Sequence, residues 1–175
     1  MTWAIGNGES RSNLNISNLK GLKVGCNAVV RDFVVDYLIC VDRRMVAEAI
    51  EIKFPNKILT RKDWMARFPY SNVYTVPDIP YEGKERADDP FQWGSGPYAV
   101  LQASLQSKKV KLIGFDLYSS TRKINNLYKD TENYDSSNKD AIDPRYWIHQ
   151  IGKVFESFPK KKYIIYQTPD WELPK

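Results

Sequence analysis

Short apolar runs alternate along this chain with stretches whose apolar residues recur every three or four positions. The runs at 3–6 (WAIG), 22–30 (LKVGCNAVV), 36–42 (DYLICVD), 57–60 (KILT), 71–76 (SNVYTV), 109–118 (KVKLIGFDLY) and 162–167 (KYIIYQ) are bounded by polar residues. Nearly continuous apolar character over so few positions predicts strands buried on both faces, as in a parallel sheet. In 43–54, Met45, Val46, Ala49 and Ile50 share one helical face, and RKDWMARF (61–68) predicts one or two helical turns. GSGPYAVLQASLQS (94–107) predicts a helix with Ser95 as N-cap and Pro97 in its first turn. DPRYWIHQIGKVFESF (143–158) predicts another, capped by Asp143, with Trp147, Ile151, Val154, Phe155 and Phe158 as its apolar stripe. The polar stretch 119–142 predicts a mobile, lid-like excursion, and 77–93, with three prolines and five acids, a loop. Strands alternating with helices predict one α/β domain over 1–175, three layers about a mostly parallel sheet.

In such sheets ligands sit beyond the carboxyl ends of the strands. Four turns therefore become candidate site walls: GNGES, CNAVV, VDRR and GFDLY. Gly6 and Gly8 permit close backbone approach, so that successive amides can point at one anion, with Asn7 and Ser10 as added donors. The same residues also make a plain strand-to-helix turn. Ser95 and Gly96 open a helix whose positive end attracts anions, or they let that helix pack closely on the sheet. Asp116 at a strand end suits a ribose or sugar hydroxyl, or caps the next segment. Tyr118 can donate to a phosphate, and Asn27 can meet a base edge or a ribose. His149 is the only histidine, so any imidazole chemistry is its work, and it is expected exposed beside Lys153 and Glu156.

Composition narrows the classes. A net charge of +5 favours anionic partners, but the lysines are scattered apart from PKKKY at 159–163, which is too short for a nucleic-acid patch. Cys26 and Cys40 lie in apolar runs and are expected as buried free thiols, and one histidine with two cysteines makes a zinc cluster improbable. No secretory leader and no apolar run near 18 residues is visible, so no integral membrane contact and a cytoplasmic location are expected.

The order GNGES, GCNAV, DYLICVD, then GSGPYAVLQASLQSKKVKLIGFDLY resembles the Campylobacter-type bacterial sialyltransferases of glycosyltransferase family 42. It is also similar to the domains of motility accessory factors and hydroxymethylpterin diphosphokinases. The resemblance covers roughly 1–45 and 92–118, and more faintly the stretch to 158. It implies a Rossmann-like domain binding a CMP-sugar donor without metal or other cofactor, and a glycan or small hydroxyl acceptor. By that resemblance Asn7, Gly8 and Ser10 touch phosphate, while Asn27, Ser95, Gly96, Phe115 and Asp116 line the nucleotide pocket. Tyr118 and Tyr128 bind the leaving phosphate, and His149 is the general base. The chain departs from the pattern at Glu9, where the family has proline, and at Gly94, where it has threonine; His149 sits inside a helical run. Two alternatives stay open. One is a Mg²⁺-dependent pyrophosphokinase using Asp36, Asp42 and Asp116. The other is a nucleotide- or glycan-binding module without catalysis.

Overall fold

The computed structural model describes residues 1–172. Its frame is one seven-stranded sheet, parallel at every pairing, in the order β5-β4-β3-β2-β1-β6-β7. The strands are β1 (Thr2–Ile5), β2 (Leu22–Cys26), β3 (Tyr37–Ile39), β4 (Lys57–Thr60), β5 (Val73–Thr75), β6 (Lys109–Ile113) and β7 (Lys162–Tyr166). Helices α1 (Arg43–Glu51), α2 (Lys62–Arg67), α3 (Ser95–Gln106) and α4 (Arg145–Ser157) cover it. This is the three-layer, Rossmann-like α/β architecture expected.

Strand alternation splits the core in two. Ile5, Leu38 and Ile58 point to the side packed by Met45, Val46 and Ala49 of α1. Ala4, Val24, Ile39, Val110 and Leu112 point to the side of α3 and α4. Most of α3 is buried, which is why its sequence is apolar on all sides and carries no charge. α4 keeps one apolar stripe, with Ile151 and Val154 inward.

Two expected strands end early. β2 stops at Cys26 because Asn27 takes a left-handed conformation (φ 51°), and Asn27–Arg31 forms a 3₁₀ turn that buries Ala28 and Val29. β6 stops at Ile113 because Gly114 (φ 71°) and Leu117 (φ 61°) reverse the backbone.

The excursion after β6 lies against the body of the domain in this structure. Its base is tied by the Lys123–Asp140 pair (2.7 Å) and an antiparallel bridge between the same residues. Its middle is anchored by Tyr128, which donates to Asp32 (2.6 Å), and by Tyr134, which accepts from the Ala28 amide (3.3 Å). The Arg31 guanidinium adds Thr131 (2.7 Å) and the Glu132 carbonyl (2.8 Å).

Candidate functional site

β1 lies where the strand order reverses, so the loops beyond β1, β2, β3 and β6 splay apart there and leave a crevice. A cavity of about 360 Å³ fills it. Its walls bring together Asn7, Gly8, Asn27, Ser95, Gly96, Phe115, Asp116 and Tyr118, eight of the residues expected from sequence. Ser10, Tyr128 and His149 are not in its lining.

The amides of the glycine turn are engaged within the protein. The Gly6 amide donates to Ile113 O (2.9 Å) and the Gly8 amide to Gly114 O (2.9 Å). The Glu9 amide goes to Asn125 Oδ1 (2.9 Å) and the Ser10 amide to Asp116 Oδ2 (3.0 Å). Four amides that would have met an anion are thus used inside the protein. The glycines are needed because the turn presses on the end of β6: a Cβ on Gly6 would lie 2.3 Å from Gly114 O, and one on Gly8 2.6 Å from the Asp116 carboxyl carbon. Ser10 also donates its hydroxyl to Asp116, so it holds the carboxylate from behind rather than facing the cavity. Glu9 turns outward to pair with Lys129 and leaves the cavity clear of its charge.

Arg11, only 2% exposed, ties this turn together. It donates to Gly6 O (2.6 Å), Asn7 Oδ1 (3.1 Å) and the Tyr128 hydroxyl (3.1 Å). Asn7 in turn donates to Cys26 O (3.0 Å), locking β1 to β2. Tyr128 therefore serves the docked excursion and is not a phosphate ligand in this arrangement. Burial and the Asp32 carboxylate push its hydroxyl up to about 12. Burial pushes the Cys26 thiol up to about 12, with Arg11 opposing, so the thiol stays protonated in the cavity wall.

The free anion-seeking element is the start of α3. Gly94, Ser95, Gly96 and Pro97 all line the cavity at the positive end of a 12-residue helix. Ser95 Oγ accepts from the Val41 amide (3.0 Å) and donates to Asn27 Oδ1 (2.9 Å), which orients Asn27 across the mouth of β2. Opposite, Asp116 is 8% exposed and Tyr118 exchanges hydrogen bonds with the backbone of Glu172 (2.7 and 3.0 Å). The lining holds two acids, Asp42 and Asp116, and no lysine, arginine or histidine.

Trp147 is the residue that pattern reading misplaced. It was expected in the core stripe of α4, but it walls the cavity beside Gly94. A Cβ on Gly94 would stand 3.1 Å from Trp147 Nε1, so the glycine makes room for the indole. Asn125, Asn126, Ala141 and Ile142, from the two ends of the excursion, complete the wall. Nothing in their local sequence marks them.

His149 faces the other way. Its Nε2 is 2.7 Å from Asp88 Oδ1, and Asp88 also accepts from Tyr81 (2.8 Å) and the Glu85 amide (2.9 Å). Hydrogen bonds from His149 and Tyr81 hold the Asp88 carboxyl below its usual range. Together with Gln150, which donates to Ala87 O (2.9 Å) and Gln92 O (3.0 Å), this network straps 77–93 to α4. The expected base is thus a structural strap here, because a partner 61 residues away captures it. Asp36 binds the Lys23 amide (2.7 Å) at the opposite edge of the sheet, so Asp36, Asp42 and Asp116 do not meet. Among the described residues no group of three His, Cys, Asp or Glu side chains is placed to hold a metal ion. No described helix is long and apolar enough to cross a membrane.

Fold and cavity define an α/β protein with a crevice at its topological switch point. No family model and no curated protein sequence matches the chain. Its fold is similar to that of the sialyltransferase CstII from Campylobacter jejuni, solved with the substrate analogue CMP-3FNeuAc. The TM-score is 0.63 at 15% identity, covering 98% of this chain and 83% of that one. The likeness is one of fold. Nothing found extends it to the motility accessory factor domains.

Proposed function

We propose that the cavity binds a CMP-sugar and that the chain transfers its glycosyl group to a hydroxyl acceptor without a metal ion. The observation that carries this reading is the start of α3, aimed into a crevice whose lining has no cationic side chain. A nucleoside diphosphate or triphosphate brings two or more charges and calls for lysine, arginine or Mg²⁺. The single phosphate of a CMP-sugar carries one, which the Ser95 and Gly96 amides and the helix dipole suit. Asp116, Asn27 and Asn125 supply acceptors and donors for ribose and sugar hydroxyls. In transfer, the bond from the sugar carbon to the phosphate oxygen breaks and its electron pair stays on the phosphate. The acceptor oxygen bonds that carbon and gives up its proton to a base.

His149 acts as base only if it leaves Asp88 and turns inward. Its capture by Asp88 favours, as second reading, a module that binds the nucleotide sugar without turnover.

A thermal-shift panel of CMP, CDP, UDP, GDP and ATP, with and without Mg²⁺, tests binding. CMP at about a hundred times its Kd adds about 2.7 kcal/mol, a rise of roughly 5–10 °C for this size. No shift with any nucleotide removes the reading, and a shift with ATP only in Mg²⁺ replaces it with pyrophosphoryl transfer. Turnover of a CMP-sugar that disappears in His149→Ala while the CMP shift persists identifies the base. Binding with no turnover in the wild type establishes the module.

A further inference from the structure

The ends of β4 and β5, the loop 77–93 and the first turn of α3 enclose a second cavity, of about 440 Å³, on the same edge of the sheet. Gly94–Pro97 line the first cavity and Tyr98 the second, so one helical turn separates them. Tyr98 is 2% exposed and pinned against Trp93, with ring centroids 5.0 Å apart. Its hydroxyl makes no hydrogen bond among the described residues, and burial pushes its pKa up to about 12. Its ring is buried while the hydroxyl opens to the cavity as a donor.

The rest of the lining has the same character. The Arg61 guanidinium lies 5.0 Å from the Phe91 ring and 5.1 Å from the Trp64 ring. Its Nε and Nη2 hold Asp63 at 3.0 and 2.6 Å, leaving Nη1 outside that pair. Phe91 is 63% exposed, an aromatic face presented where burial does not explain it. Arg61 and Lys62 are balanced by Asp63 and Asp78, so the lining carries no net charge to draw an anion. Balanced donors and acceptors beside a largely exposed ring match a neutral molecule with many hydroxyls and an apolar C–H face.

We propose that this second cavity binds a neutral saccharide, with Tyr98 and Arg61 donating to sugar oxygens, Asp63 and Asp78 accepting from sugar hydroxyls, and Phe91 against the sugar's C–H face. As the acceptor subsite it rests on the glycosyl-transfer reading; as a saccharide site it does not.

The test is an array of neutral oligosaccharides, with sulfated and phosphorylated ones alongside, probed with the epitope-tagged full chain. Retention on at least one neutral saccharide is expected, weakened tenfold or more by Tyr98→Phe and by Arg61→Ala. Lys160→Ala, on the surface and outside both cavities, leaves it unchanged. Tyr98→Phe removes only an unbonded hydroxyl, so it melts with the wild type and keeps any CMP shift. Retention of no neutral saccharide, retention of anionic ones alone, or retention indifferent to both substitutions overturns the proposal. Saccharide binding without a CMP shift overturns the donor reading and leaves this one standing.

Discussion

Replacing Gly6 by alanine separates two accounts of the glycine turn. If the turn cradles a ligand, the added methyl blocks binding and leaves folding intact. If the turn packs on β6, the methyl strikes protein. The structure gives the magnitude: the new Cβ would lie 2.3 Å from Gly114 O and 2.9 Å from Gly114 C. Ordinary carbon contacts begin at about 3.5 Å, so the ends of β1 and β6 must part by roughly 1 Å. Overpacking of backbone against backbone costs about 1–3 kcal/mol. Parting also weakens the Gly6–Ile113 and Gly8–Gly114 hydrogen bonds, at about 1 kcal/mol each. The sum, about 3–5 kcal/mol, lowers Tm by roughly 6–20 °C for a domain of this size. Gly96→Ala is the control: its nearest neighbour is Phe115 Cε1 at 3.4 Å, within ordinary contact. In the first turn of α3 it raises stability by up to about 1 kcal/mol, because alanine leaves the unfolded chain fewer states. Circular-dichroism melts of the three proteins, with and without CMP, decide the matter. A Gly6→Ala protein that melts within about 2 °C of wild type but loses its CMP shift refutes the packing account.

Three further outcomes follow from contacts described above. Arg31→Ala removes the Glu48 pair (2.5 Å) and the bonds to Thr131 and Glu132, so amide exchange in 128–134 should quicken by tenfold or more while β1 and β6 keep their rates; unchanged exchange in that segment would show that Arg31 does not anchor it. Asp88 has its folded pKa depressed, so its contribution is present above the unfolded value of about 4 and is lost as pH falls through the folded one. Urea midpoints should therefore drop more steeply below pH 4 in wild type than in Asp88→Asn, and parallel curves would rule this out. Cys26 and Cys40 are both buried with raised pKa, so Ellman's reagent should label neither until urea unfolds the chain; fast labelling of the native protein contradicts their enclosure.

What could be seen in the sequence was whatever one element states by itself. The apolar runs of β1, β3, β4 and β6 and the all-round apolarity of α3 give strand and helix directly, and the topology follows from their alternation. Local pattern failed at Ala28 and Val29, which are apolar because a 3₁₀ turn buries them, not because β2 continues. It did not show how 119–142 packs, because Tyr128 and Tyr134 reach residues about a hundred positions away, with no periodicity to announce it. The candidate site was legible at strand ends, where polar residues interrupt apolar runs: Asn7, Asn27 and Asp116. The spacing of Trp147 and His149 puts them on opposite faces of α4, but that Trp147 walls the cavity rather than the core depends on Gly94, and that His149 is held elsewhere depends on Asp88, both distant in sequence.

The strand order also sets a sequence of events in folding. β1 sits between β2 and β6, yet β6 follows it by more than a hundred residues. Until β6 docks, a half-sheet of β1 to β5 shows the bare edge of its central strand, an invitation for another chain to pair with it. The crevice has its two sides on either half, so it exists only once β6 has docked. Refolding at high concentration should therefore lose material to aggregation before the crevice exists, and a ligand that spans both halves rescues only molecules that have already brought β6 home.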